Sequence, residues 1–584
     1  GLWLDERVGP APDGIDEKIY GRSSGVIGFR IFPNPAFDDR ARQRWDPARY
    51  YADPAYYTDP KLVRPYQVGV SCGVCHVGPN PLNPPADPEN PGWENLSSAI
   101  GNQYIREGAV FTLEQPGSFF WEMLNAQPPG TSDTSRVAND HINNPGAING
   151  IFLLGVRYAE AVEEQMAGGA LAFPGDARRK VPHVLKDGAD SVGAGGAMMR
   201  VYVNEGLYSE KFLAHTQLLL GLRPQRPFNV ADAFANSAYW RATYERTAYI
   251  AKFFARLKPM HLEDAPGGRA YISGDRALLD RGKLVFADNC AGCHSSKQPP
   301  PGVRPQSEQA RQWFRESVVR PDFREGNFLS TDRRIPVSEL GTNPCRALAT
   351  NATRGHIWDN FSSETYKDLP QVGPLAVYNP LDEGKPLPFR PPAGGLGYYR
   401  PPSLISIWSS APFLHNNSLG IFNGDPSVAG RIKAFDDAAE KLLWPEKRLG
   451  KGSIWRTTHE SYLRIPTVYL PEPLRPLGRN GVLSIGPIPA GTPVNLLASI
   501  NPTVPNVIGL IPSFNAAMLE ISLRKLDFLG ALRPHAGDDP LLRLVPALMK
   551  VDTCPDLIED RGHEYGSKLS DRDKRALIEF LKTL

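Results

Sequence analysis

Apolar positions recur at helical spacing most clearly in two places. After Ser273-Gly274-Asp275, the residues Leu278, Leu279, Leu284, Val285 and Phe286 lead straight into Cys290, which predicts a helix ending at that cysteine. At the far end, Ser570-Asp571-Arg572-Asp573 has the form of a capping box with Asp in the Glu place. It opens a segment whose Ala576, Leu577, Phe580, Leu581 and Leu584 share one face. Packing these two helices together would close a domain. Two more helices are expected at Glu210–Leu222 and from about Ala231 to Leu257, where Phe234, Ala238, Trp240, Tyr244, Ala248 and Phe254 form a broad core-type stripe.

Elsewhere the periodicity is weak. Residues 1–70 are rich in Pro, Tyr, Arg and Asp and read as an extended arm with short helices. Pro259 to Tyr271 reads as a linker, and Pro386–Pro402 and Pro466–Pro505 as loop insertions with a few short β hairpins. The richest apolar run, Ile148–Val156, is short and contains Asn149 and Gly150, so no membrane span is expected. The chain has 57 Pro and 54 Gly in 584 residues, well above ordinary usage, which predicts many ordered loops around a helical skeleton. A formal net charge of +2 supplies no field for nucleic acid or an anionic membrane.

The cysteines change the picture. Cys72-Gly73-Val74-Cys75-His76 and Cys290-Ala291-Gly292-Cys293-His294 repeat one pattern. Two thiols at this spacing can add across the two vinyl groups of a haem, and the histidine that follows can ligate its iron. Zinc would ask for four grouped N/S ligands, whereas each motif offers three at cramped spacing. The expectation is therefore two haem c groups, with His76 and His294 as axial iron ligands. The fold class expected is mainly α with extensive loops, as two cytochrome c-like haem domains. Their bounds are 71–265 and 266–584, following the 1–70 arm. Haem c attachment takes place outside the bacterial cytoplasm, and a chain beginning at Gly1 without Met fits removal of an export signal. A periplasmic or secreted location follows, in which the two cysteines left over, Cys345 and Cys554, are expected to form a disulfide.

The sixth iron position separates electron transfer from substrate chemistry. Of the eleven histidines, three stand out beyond the two motifs. His563 lies in a glycine-flanked turn, Arg561-Gly562-His563-Glu564-Tyr565-Gly566, and is the candidate second ligand of the second haem. His415 follows Ala411-Pro412-Phe413-Leu414 in a stiff loop and, like His183, is a candidate haem-edge or inter-haem residue. His141 opens the turn that leads to Asn149. The cluster Gly193, Gly195 and Gly196 permits close backbone approach and is not a phosphate loop.

Together these residues resemble the bacterial di-haem cytochrome c peroxidase superfamily, and within it the rubber-oxygenase branch. The resemblance covers most of the chain from about residue 65. It rests on the paired motifs, on Arg400-Pro401-Pro402-Ser403-Leu404 running to His415, and on Gly562-His563 before the terminal helix. It extends to Glu339-Leu340-Gly341-Thr342-Asn343 and Ile357-Trp358-Asp359-Asn360-Phe361-Ser362-Ser363. It implies a reactive N-terminal haem and an electron-relay C-terminal haem, and an enzyme that uses O2 as co-substrate to cleave C=C bonds of a polyisoprenoid or similar hydrophobic substrate. By the same resemblance Asn144–Asn149 lies over the reactive haem, with Ala147, Ile148, Ile151, Ala197 and Met198 as its candidate lining. Peroxidases carry a Met ligand after the loop at His415, but residues 425–435 here contain none. A W-D-G-R-like stretch after Ile151 is also missing, and both departures favour the oxygenase branch. Reduction of hydrogen peroxide and non-catalytic electron transfer are the alternatives, and a small redox protein is the candidate donor. Calcium occurs in related peroxidases, but no D-x-D-x-D-G loop argues for it.

Overall fold

A computed structural model describes residues 4, 9–10, 14, 16–53, 56, 59, 61–70, 73–99, 101–106, 108, 117–130, 162–165, 178–181, 249, 258–331, 333, 335–345, 347, 371–379, 382, 384–390, 397–494, 504–525, 545–548, 550–551 and 556–584. Near the N-terminus, β1 (Arg22–Ser23), β2 (Phe29–Pro33) and β3 (Tyr66–Val70) form an antiparallel sheet in that order. Phe29 pairs with Val70 and Ile31 with Val68. Alternation turns Phe29, Ile31 and Val68 to one face, where they bury Val74 of the first cysteine motif. The expected arm is thus a folded sheet that carries the motif, and the boundary drawn at 70/71 cuts through one hydrophobic cluster. β1 pairs with β2 over two residues only, and β3 joins β2 across a long connection, so the sheet has little local sequence signal.

The helical part includes the two helices expected before Cys290 and at the C-terminal end. It comprises α1 (Phe119–Asn125), α2 (Arg276–Asn289), α3 (Glu308–Val318), α4 (Val428–Leu443), α5 (Val504–Lys525) and α6 (Asp571–Leu581). Asp275 caps α2 by accepting from Leu278 N–H, and Ser570 caps α6 by accepting from Asp573 N–H. The two helices cross at Gly282, where an added Cβ would lie 2.2 Å from the Ala576 carbonyl oxygen. That approach lets Phe286 meet Phe580 edge-on at 5.3 Å, a contact worth roughly 0.5–1.5 kcal/mol beyond its buried area. Around them lies the main core, with Trp408, Phe435 and Leu577 buried and Cys290 packed against it. The architecture is a helical skeleton with loops and short sheets, six of them among the described residues.

One further expectation is revised. The segment 259–271 is no free linker: Met260 and Leu262 are buried, Met260 N–H donates to Ser406 Oγ at 2.8 Å, and the Trp408 indole donates to Met260 O at 2.8 Å. The insertion 466–505 contains the strand Val482–Ile488, which pairs antiparallel with Ser461–Pro466 as one of the expected hairpins, and its last two residues open α5, a helix of 22 residues. The first motif is preceded by strand β3, whereas helix α2 precedes Cys290, so the two cysteine motifs are delivered by different elements. The helices expected at 210–222 and 231–257 lie outside the described residues, apart from an exposed helical Tyr249. Among the described residues no helix is long and apolar enough to cross a membrane.

Candidate haem sites

Helix α2 ends at Cys290, whose N–H still bonds Phe286 O, and the chain then turns so that His294 N–H bonds Cys290 O at 2.8 Å. Burial, with the neighbouring Cys293, pushes the Cys290 thiol up to about 12, and burial raises Cys293 as well. Arg333 Nη1 donates to Cys293 Sγ at 3.2 Å and opposes the rise at that thiol. Among the described residues there is no grouping of three or more His, Cys, Asp or Glu able to hold a metal ion directly.

His294 is buried, and its Nδ1 lies 3.1 Å from Pro402 O. Ring chemistry then leaves Nε2 for a metal. The stretch 400–404 is itself clamped: Ser330 Oγ donates to Pro401 O, Ser403 Oγ to Phe328 O, and Leu404 N–H to Leu329 O. Its role is to hold the carbonyl that orients His294.

Facing His294 is His563, with ring centroids 6.3 Å apart and planes inclined by 54°. Two imidazoles sharing one metal at roughly 2.0–2.1 Å per bond, with each nitrogen about 1.1 Å from its ring centroid, stand about 6.2–6.4 Å apart. The observed separation fits. Burial depresses both rings, His294 to about 3 with a further push from His563, so both are neutral, the state that ligates metals. His563 Nδ1 is buried without a hydrogen-bond partner, an orphan that calls for an occupant or acceptor in this pocket. The residues present therefore fit a haem held by Cys290, Cys293, His294 and His563.

The turn that presents His563 is tightly built. Gly562 has φ +80°, and a Cβ there would meet Thr342 N at 2.2 Å. His563 itself has φ +50°, and its N–H donates to Leu340 O at 2.9 Å. Arg448 donates to Gly562 O and Asp560 O, while the Asp560 carboxylate accepts from Leu449 and Gly450 N–H. His415 stacks on Tyr399 at 4.5 Å, and Tyr399 OH donates to Asn343 O. Cys345 is disulfide-bonded. Cys554 lies outside the described residues; Asn343 Nδ2 donates to Asp556 O at 3.3 Å. The polar residues Asn343, Asn416, Arg448, Glu559 and Asp560 were not singled out from sequence. Their common signal, hydrogen bonds to partners far along the chain, exists only in three dimensions.

At the first motif, Gly73–His76 forms one helical turn. Val74 O accepts from Asn102 Nδ2 at 2.8 Å, and Gly28, at φ +83°, packs so closely that a Cβ would lie 2.2 Å from Val74 N. Cys72 and the side chains of Cys75 and His76 lie outside the described residues, as do His141, Ala147, Ile148, Ile151, His183, Ala197, Met198 and Ile357–Ser363. No protein-family model matches this chain, and neither does any curated protein.

Proposed function

We propose that the chain is an exported di-haem c-type oxidoreductase in which the two haems have different tasks. The observation that carries this reading is the facing His294–His563 pair, 6.3 Å between centroids, with His294 directly following the Cys290–Cys293 motif. His294 and His563 would together hold the iron of a second haem and leave no position for substrate, so this site would serve electron relay. The first haem, held by Cys72, Cys75 and His76, is then the reactive one. By resemblance its substrate class is a polyisoprenoid or similar hydrophobic alkene, with O2 as co-substrate, in the manner of rubber oxygenases. The missing Met in 425–435 and the apolar candidate lining support O2 chemistry over peroxide reduction, which needs a distal acid or base. A bound haem would supply one-electron and O2 chemistry. The chain would supply covalent attachment through its cysteines and, through Pro402 O, a fixed imidazole tautomer at His294.

The deciding experiment is absorption and EPR spectroscopy of the holoprotein as isolated and after reduction, followed by O2 uptake on a polyisoprene emulsion. One low-spin haem together with one O2- or CO-reactive haem, and uptake with carbonyl products, is expected. Peroxide consumption without O2 uptake would move the assignment to a peroxidase. Two low-spin haems indifferent to O2, CO and peroxide would remove both enzyme readings and leave an electron carrier.

A further inference from the structure

We propose that Glu559 is the positioning residue of the second haem: it holds the turn that keeps His563 at ligating distance from His294. The proposal rests on the reading of these two histidines as ligands of one iron. Glu559 is 5% exposed and lies four residues before His563. Its Oε2 accepts from Asn343 Nδ2 at 3.1 Å and from Asn416 Nδ2 at 2.7 Å. Its carbonyl oxygen accepts from Asn416 Nδ2 at 2.9 Å and Ser418 Oγ at 2.6 Å, and its N–H donates to Ser453 Oγ at 3.0 Å. Three remote segments therefore converge on one peptide unit.

A carboxylate is a poor choice for mere filling, because taking it out of water is unfavourable unless its oxygens are satisfied. What it adds over an apolar residue is direction: a fully satisfied buried polar network specifies one arrangement. Such a device is needed here. His563 sits in the left-handed region, which non-glycine residues occupy only where the surroundings over-determine them. Arg448 and Asp560 restrain the turn from one side. Glu559 ties it on the other to the 343 segment, whose neighbour Leu340 receives the His563 N–H, and to the loop that follows His415. Glu559 acts through the backbone and Asn343, not on the iron itself.

The test uses the holoprotein and the variants Glu559→Leu, Glu559→Gln and His563→Ala, read by EPR and by CO binding to the reduced haems. Glu559→Leu is expected to lose the low-spin signal of the second haem and to extend CO binding from the first haem to both. Glu559→Gln, which keeps an acceptor oxygen for both asparagines, is expected to restore the wild-type spectrum. Should the Leu variant fail to fold, Asn416→Ala removes donors to the carboxylate and the carbonyl alike, and a mixture of low- and high-spin second haem is expected. A Leu or Asn416→Ala protein with a wild-type spectrum would overturn the proposal, as would a Gln variant as damaged as Leu. An unchanged spectrum in His563→Ala would instead overturn the ligand reading beneath it, whatever Glu559 does.

Discussion

The two cysteine motifs share a sequence pattern but not a scaffold. The one at Cys290 closes a helix of 14 residues whose face is buried against α6, so the motif inherits the rigidity of a helix crossing. The one at Gly73–His76 follows a strand and rests on a small sheet, with Val74 buried among Phe29, Ile31 and Val68. A short three-stranded sheet has far less core to draw on than the cluster around Phe286, Trp408 and Phe435. The difference suits the division of labour proposed above. A relay site is served by a rigid, doubly ligated iron, whereas a site that must admit substrate needs one face left open.

If the scaffolds are independent, the largest effects should be separable. Replacing Cys72 and Cys75 together by Ser should remove one covalent haem, seen in the mass of the denatured chain, while the low-spin spectrum assigned to His294 and His563 persists. Replacing Cys290 and Cys293 should remove the other haem and lower the melting temperature as well, because Cys290 packs against the main core. Loss of the low-spin spectrum in the first pair of variants would mean that the sheet and the helical core form one cooperative site.

A finer contrast uses two glycines at which a Cβ would come to 2.2 Å from backbone. Gly282→Ala pushes against Ala576 O at the helix crossing, and overpacking of this kind destabilises by about 1–3 kcal/mol. Gly28→Ala pushes against Val74 N and must also adopt φ +83°, so its effect should fall on the first haem. Thermal unfolding followed at each haem's own absorption should show the first variant weakening the second site and the second weakening the first. A uniform shift at both haems would refute separate scaffolds.

Both motifs, the α2 and α6 helices and the His563 turn are legible in the chain because each is a local signal: adjacent cysteines, a capped periodic run, a glycine-bounded turn. The N-terminal sheet is not, since Phe29–Pro33 meets its near neighbour Arg22–Ser23 over two residues and its full-length partner only at Tyr66–Val70. Helix α5 hides behind Pro505, Gly509 and Pro512, residues that argue for a loop in any local reading. Glu559 is equally silent in sequence, because Asn343, Asn416, Ser418 and Ser453 reach it from far along the chain. Local rules find where the second iron would be attached, and only the fold reveals what holds its far ligand in place.

The smallest expected effect lies on the outside of the same helix crossing. Arg281 meets Asp573 through two parallel bonds of 2.6 and 3.0 Å, and its side chain is 50% exposed. The guanidinium holds the Asp573 carboxyl below the usual range against a small opposing effect of burial, with Ser570 helping. The native state thus binds this proton more weakly than the unfolded chain, so the pair's contribution is complete above the ordinary Asp value of about 3.9 and is lost as pH falls through the depressed one. At neutral pH an exposed pair is worth about 0.2–1 kcal/mol, and salt screens it. Arg281→Ala should therefore lower the melting temperature slightly at pH 7, should be indistinguishable from wild type at the acid end of that range, and should lose its effect in high salt. A loss of more than a few degrees, or one that salt leaves untouched, would show that the helix crossing depends on this surface pair and not on the glycine contact and aromatic packing beneath it.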